Sequence, residues 1–354
     1  MTHKHWLATL ALAALGNTAS AQGSVEIFGI MDLHINKAKS GPTSLTRMED
    51  GGSAASRIGF RGSEDLGGGM RARFLLEAGV TPDTGMGTVP GPSLAFTRQS
   101  YLGLSAPWGH IELGRMYTPM FGALFRADPM GMNSLFSPTN LGYAIDAQPG
   151  LRPFAPRANN MLRYRSPESQ KLLLDFAYSF GEVASPNSNN GRIVGGTVGW
   201  KQQPFFVGYS FQNAVEGSAA APVASPRTSR FQTLVASWES LPVLRISGSY
   251  STSSVNQPGT RDAHMTQLGA DWSMTPADKL LFSIARRKVD GSNRSQTAWS
   301  LGYDHYLSKR TTLYARWLQS SNAGGSSVGI ANVPVVANSG DGVRSIAIGA
   351  RHNF

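Results

Sequence analysis

Over most of its length the chain alternates apolar and polar residues with a period of two. From Val25 the odd positions read Val25, Ile27, Gly29, Met31, Leu33 and Ile35, with Glu26, Asp32, His34 and Asn36 between them. Met70, Ala72, Phe74, Leu76, Ala78 and Val80 share one face, and Arg71, Arg73 and Glu77 the other. The rhythm returns through Leu172, Leu174, Phe176, Tyr178 and Phe180, through Phe205, Val207, Tyr209 and Phe211, and again in Leu244, Ile246, Tyr250 and Leu280, Phe282, Ile284. Successive side chains of a strand point to opposite faces, so each run predicts a strand with one apolar side. Beyond residue 21 no run carries the 3.6-residue period of an amphipathic helix.

Segments of this kind predict 16 strands, near 24–37, 54–65, 69–80, 94–106, 108–117, 157–166, 170–181, 191–201, 203–214, 228–240, 243–254, 262–274, 278–290, 294–307, 310–321 and 342–354. Short turns at Asp65–Gly69, Pro107, Pro167–Ser169, Gln202, Leu241-Pro242, Thr275–Ala277 and Ser308-Lys309 alternate with long links around 38–53, 81–93, 118–156, 214–227 and 322–341. Short turns at one rim and long loops at the other are the connectivity of an antiparallel transmembrane β-barrel, and an even count returns both chain ends to the short-turn rim. No linker separates two cores, so residues 22–354 read as one domain.

Composition decides which face of the sheet is wet. Charged residues make up 15% of the 354, well below the share of about 25% in soluble domains. A soluble β-sandwich would decorate its outer face with many Lys and Glu. Here the second face is Ser, Thr, Gly, Gln and Arg. A barrel in lipid turns its apolar face outward and its polar face to the lumen, and closure removes unpaired backbone edges. Trp108, Trp200, Trp238, Trp272, Trp317, Tyr306 and Phe354 stand at strand ends, where aromatic girdles meet the two membrane interfaces.

The first 21 residues read as an export signal rather than as structure. His3, Lys4 and His5 precede an apolar run from Leu7 to Leu15, and Ala19-Ser20-Ala21 supplies the small residues of a cleavage site. That run is shorter than the about 20 residues a spanning helix needs. Its removal takes only Lys4 from a formal charge of +10. The absence of cysteine excludes disulfides, cysteine-ligated metals and thiol nucleophiles, and an exported chain without disulfides fits a Gram-negative envelope.

Several stretches then resemble the trimeric general porins of Gram-negative outer membranes, most closely the beta-proteobacterial type. Val25 to Asp32 is similar to the opening strand, and Ser56-Arg57-Ile58-Gly59-Phe60-Arg61-Gly62-Ser63-Glu64-Asp65-Leu66-Gly67-Gly68-Gly69 to the most distinctive hairpin of the family. Arg98 to Leu104, Gly114-Arg115, Arg157 to Pro167, Leu307 to Thr311 and Gly349 to Phe354 resemble later strands and turns. The resemblance implies a homotrimer of 16-stranded barrels, each pore narrowed by an inward-folded third loop, here about Thr118–Pro156. It also implies a wall of arginines at the constriction: Arg57, Arg98 and Arg157, with Arg71, Arg73 and Arg163 as neighbours. The third loop of such porins opposes them with carboxylates, and this one offers Asp128 and Asp146, balanced by Arg126 and Arg152. A narrow path walled by arginines with few acids opposite carries a positive potential, so the expectation is a passive channel for small hydrophilic solutes that prefers anions.

Other classes find less support. There is no His-Glu-x-x-His, Gly-x-Ser-x-Gly or Walker lysine, and the histidines are dispersed. A lipid-hydrolysing barrel needs a Ser–His pair, and nothing specific pairs with His264 or His352. Export and the lack of a basic–aromatic motif argue against nucleic acid. No cofactor or metal site is expected, although the loop rim is placed to meet lipopolysaccharide. A substrate-selective pore remains the alternative. It would carry a run of aromatics along the lumen, for which Tyr143, Phe136 and Phe154 are too few and scattered.

Overall fold

The computed structural model describes residues 23–88, 94–143, 154–184, 186, 188–241, 243–330, 333–335 and 337–354. The expected signal segment, Asp146 and Arg152 lie outside these residues. Almost everything described is one antiparallel sheet closed on itself. Strand β1 is Ser24–Ser40, and β2 runs as Thr43–Asp50 and again as Arg57–Gly67. They are followed by β3 (Met70–Thr81), β4 (Gln99–Ala106), β5 (Gly109–Tyr117), a helix α1 (Pro119–Ala127), a 3₁₀ turn (Pro138–Tyr143) and β6 (Arg157–Arg165). Next come β7 (Leu172–Ser179), β8 (Ile193–Gln202), β9 (Phe205–Val215), β10 (Thr228–Leu241) and β11 (Leu244–Val255). The last five are β12 (Ala263–Ser273), β13 (Asp278–Val289), β14 (Ser295–Tyr306), β15 (Thr311–Ala323) and β16 (Val343–Asn353). The barrel therefore has 16 strands, each paired with its neighbours in sequence.

Closure is made by the chain ends. β16 lies antiparallel to β1 from Ile30↔Asn353 to Ser40↔Val343, and the amide of Gly29 and carbonyl of Phe354 meet at 2.9 Å. Every strand edge is thus paired, which a sheet in hydrocarbon requires. The alternation seen in the sequence has its apolar side outward. On β1, Val25, Ile27, Met31 and Ile35 are exposed while Asp32, His34 and Asn36 are buried inside; on β9, Phe205, Val207 and Tyr209 are outside and Ser210 and Gln212 inside.

The short turns fall where turn chemistry placed them. Gly67, Gly68 and Gly69 all have positive φ, a region that costs a residue with a Cβ, and the Asp65 carboxylate accepts from the Gly67 amide at 2.8 Å. Two expectations about the other rim are corrected. The link at 38–53 is not a long loop: β1 continues to Ser40, turns at Gly41-Pro42 and pairs with β2 from Ser40↔Thr43 to Leu33↔Asp50. Its Ser, Thr and Gly content suggested a loop, but Asn36, Ala38 and Ser40 prolong the inward alternation and the pairing satisfies the backbone. Secondly, a helix lies inside the 118–156 connection. Thr118 caps it, Pro119 occupies the first turn, and Met120, Ala123, Leu124 and Ala127 recur on its buried side. That spacing was legible, and the surrounding Gly and Pro masked it.

Candidate functional site

The loop from Thr118 to Pro156 leaves and rejoins the wall at one point. The Thr118 amide donates to the Pro156 carbonyl at 3.0 Å, and its hydroxyl donates to the Ala155 carbonyl at 2.9 Å. In between, α1 lies inside the barrel with its apolar side against Phe206, Phe231, Val235 and Val255 of β9 to β11. Hydroxyls of the wall hold the loop backbone: Thr197 donates to the Pro119 carbonyl (3.1 Å), Ser247 to Ala127 (2.7 Å) and Ser300 to Phe136 (2.6 Å). On the far side the Asn133 amide donates to the Gly51 carbonyl at 2.7 Å. The loop therefore runs inside the barrel along the wall from β8 past β11 and β14, and reaches the break in β2.

A second loop also turns inward, which the sequence did not disclose. Val328, Ile330, Val335 and Ala337, between β15 and β16, are buried with Leu135, Phe136 and Leu141 of the first loop. Ala38, Ala298, Leu318, Val343 and Ala347 of the inner wall complete that apolar cluster. Small residues at inward strand positions make room for it. The two loops thus share one apolar cluster against the inner wall.

Beside the break in β2 several arginines cluster. The break in β2 at Gly51–Ser56 folds inward over Asp32, whose carboxylate accepts from the amides of Ser53 (2.9 Å) and Ala54 (2.7 Å) and from the Tyr314 hydroxyl. Arg57 follows at once, its Nε donating to the Ala55 carbonyl at 3.0 Å and its Nη1 3.5 Å from Glu77. Arg98 donates through Nε to Glu77 at 2.7 Å and through Nη2 to the Tyr117 hydroxyl at 2.8 Å. Arg157 donates to that same hydroxyl, with its guanidinium 4.2 Å from the centre of the Tyr117 ring. Arg115 braces the group by donating to the Thr97 carbonyl and the Asn159 side chain. Three guanidiniums thus gather around one phenol and one carboxylate, in surroundings that screen charge less than bulk water does.

The other candidates are dispersed. Arg163 is neutralised by Asp175 through two contacts, at 2.7 and 2.5 Å, and its Nη1 donates to the Tyr117 carbonyl at 2.9 Å. Arg71 stands beside Asp65 at 3.7 Å, and it and Arg73 are exposed next to the Gly67–Gly69 turn, at the mouth rather than the constriction. Asp128 is a correction: it faces no arginine of that wall. It is buried, and accepts from the amides of Met130 (3.1 Å) and Met132 (2.8 Å) and the hydroxyl of Ser137. Burial raises its carboxyl above the ordinary value, against the pull of those three donors. It holds the loop in shape and presents no charge to the passage. Phe136 and Phe154 are buried in the loop packing.

Sequence reasoning missed Glu77 and Tyr117, the two groups that organise the arginines. Parity pointed to Glu77, which alternates with Arg71 and Arg73. Nothing local singled out Tyr117. Arg316 and Arg351 were also missed; the first is paired with Asp304 at 2.6 Å, and both reach the Ser53 hydroxyl, at 3.3 and 3.0 Å. Among the described residues no group of His, Asp and Glu has the make-up of a metal site.

Comparison with known proteins agrees with this architecture. The family model described as Gram-negative porin matches residues 8–325. Outer membrane porin protein 32 of Delftia acidovorans is 31% identical, over 99% of this chain and 100% of that protein. An outer membrane porin of Bordetella pertussis is 26% identical over 88% of this chain and 92% of its own length. Among solved structures, the anion-selective porin from Comamonas acidovorans superposes with a TM-score of 0.82 at 26% identity, covering 94% of this chain and 100% of that one. With a closed barrel, a loop-narrowed lumen and these relatives, the chain belongs to the Gram-negative porins of the outer membrane.

Proposed function

We propose that the protein is a passive diffusion channel of the Gram-negative outer membrane that admits small hydrophilic solutes and prefers anions. One observation carries the preference: Arg98 and Arg157 meet at Tyr117, Arg57 and Arg98 share the single carboxylate of Glu77, and Asp128 is buried away from them. A surplus of guanidinium in a narrow path, surrounded by low-dielectric protein and lipid, raises the local concentration of anions and repels cations. The similarity to a porin titled anion-selective supports the same reading. Glu77 offsets part of the charge, so the preference is one of degree.

Solutes then cross down their own gradients, sorted by size and charge. The proposal includes a homotrimer, as the family resemblance implies, a cleaved signal at residues 1–21, and lipopolysaccharide around the long-loop rim. A channel, rather than an enzyme, is what the family and the fold support. The test is the reversal potential of the purified protein in a planar bilayer across a KCl gradient. The expected sign is that of chloride permeating faster than potassium, and the opposite sign refutes the preference.

A further inference from the structure

The helix in the narrowing loop carries both of its aromatic residues away from its most buried side, Phe121 partly packed against the wall cluster and Phe125 free of it. Its buried side meets the wall through Met120, Ala123, Leu124 and Ala127. Phe121 and Phe125 occupy another side, and Phe125 is 53% exposed within the barrel. Between them a Cβ added at Gly122 would meet nothing within 4 Å, so the space beside this face is open. Tyr117 closes the row at its other end, its two faces covered by Arg157 and Phe121. Its ring stacks on Phe121 at 4.5 Å and 13° between planes, and Phe121 lies 6.3 Å from Phe125.

An exposed phenyl ring such as that of Phe125 costs hydration free energy in an aqueous passage unless something covers it. The charge at the ends of the row identifies what. At Tyr117 stand Arg98 and Arg157, and at Phe125 stands Arg126, an exposed guanidinium lying over the Phe206 ring at 5.4 Å. Aromatic faces accept a planar group by stacking, and guanidinium forks accept a carboxylate. We propose that Phe125, with the open side of Phe121 beside it, forms a short binding rail for aromatic carboxylates, the ligand ring lying against the phenyl rings and its carboxylate taken by the exposed Arg126. This rests on the channel reading above and adds a preference among anions to it.

The probes are benzoate, acetate, benzyl alcohol and benzylammonium, applied to the purified wild-type channel in a planar bilayer. Benzoate should interrupt the chloride current at concentrations roughly tenfold lower than acetate or benzyl alcohol, from the stacking of one ring on an aromatic face and its charge together. Benzylammonium should have the weakest effect. Phe121→Ala with Phe125→Ala should lower the apparent affinity for benzoate by about tenfold without changing that for acetate, and Phe121→Tyr with Phe125→Tyr should retain it. Benzoate and acetate acting alike on the wild type would overturn the rail, and so would undiminished benzoate block in the alanine variant. If that variant does not yield a folded barrel, the wild-type comparison of the four probes decides alone. The KCl reversal potential of the wild type is read in the same bilayers, so a failure of anion preference is seen separately from a failure of the rail.

Discussion

Arg157 lies over the face of Tyr117, 4.2 Å from the ring centre, and also donates to its hydroxyl. One side chain thereby receives the guanidinium in two ways, and Arg98 shares the same oxygen from the other side at 2.8 Å. A phenol that accepts from two cations holds them close together without cancelling their charge. A carboxylate in its place would remove one charge. The arrangement lets two guanidiniums crowd together with their charge kept.

Arg157→Ala and Arg57→Ala should each move the reversal potential in a KCl gradient toward potassium. Glu77→Gln should move it the other way, because Arg57 and Arg98 lose the carboxylate that offsets them. Opposite signs from neighbouring residues separate a charge effect from a change of pore width.

Tyr117→Phe keeps the ring under Arg157 and against Phe121 but removes the shared acceptor. The anion preference should persist. Stability should fall by about 2–4 kcal/mol, since two hydrogen bonds from charged donors are lost together, seen as conversion to the unfolded band at lower temperature on heat-modifiable gels.

Ile330→Asp places a charge in the apolar cluster that binds the 324–341 loop to the inner wall. Burying an unpaired carboxylate costs more than the packing returns, so the loop should leave the wall. Single-channel conductance should rise while the barrel, held by its strand pairing, stays folded. An unchanged conductance would mean that this loop does not limit the passage.

Asp128→Ala removes the acceptor for two amides and one hydroxyl, each costing about 1–3 kcal/mol when left unsatisfied. The narrowing loop should lose its fixed shape, and the open-channel current should become noisier. Because this carboxylate is buried, the reversal potential should move far less than in Glu77→Gln.

Much of the barrel was legible because a strand writes its two faces into the chain at alternate positions. Met70 to Val80 against Arg71, Arg73 and Glu77 is enough to say which side is wet. Asp65 and three glycines mark the turn that follows β2, since only particular backbones turn so sharply. The β1–β2 connection was misread because Ser, Thr and Gly are at home in both loops and rim strands. There the partner strand, rather than the residues themselves, decided the conformation.

The arginine wall was legible only as a set of residue types. Arg57, Arg98 and Arg157 are separated by long stretches of chain, and nothing in their own neighbourhoods says that Arg98 and Arg157 share Tyr117 or that Arg57 and Arg98 share Glu77. Arg163 has the same alternation and is silenced by Asp175 across the adjacent strand. Asp128 has the same charge as Glu77 and points into the loop instead of the lumen.

By itself, then, the sequence determined the strand period, the outward apolar face, the strand count and the excess of cationic side chains, because each depends on nearby residues or on totals. Only the tertiary structure decided which charges meet, which cancel, and that a second loop and an aromatic row lie inside. Those are contacts between residues far apart in the chain, and they exist only once closure of β1 on β16 has brought the walls around a common lumen.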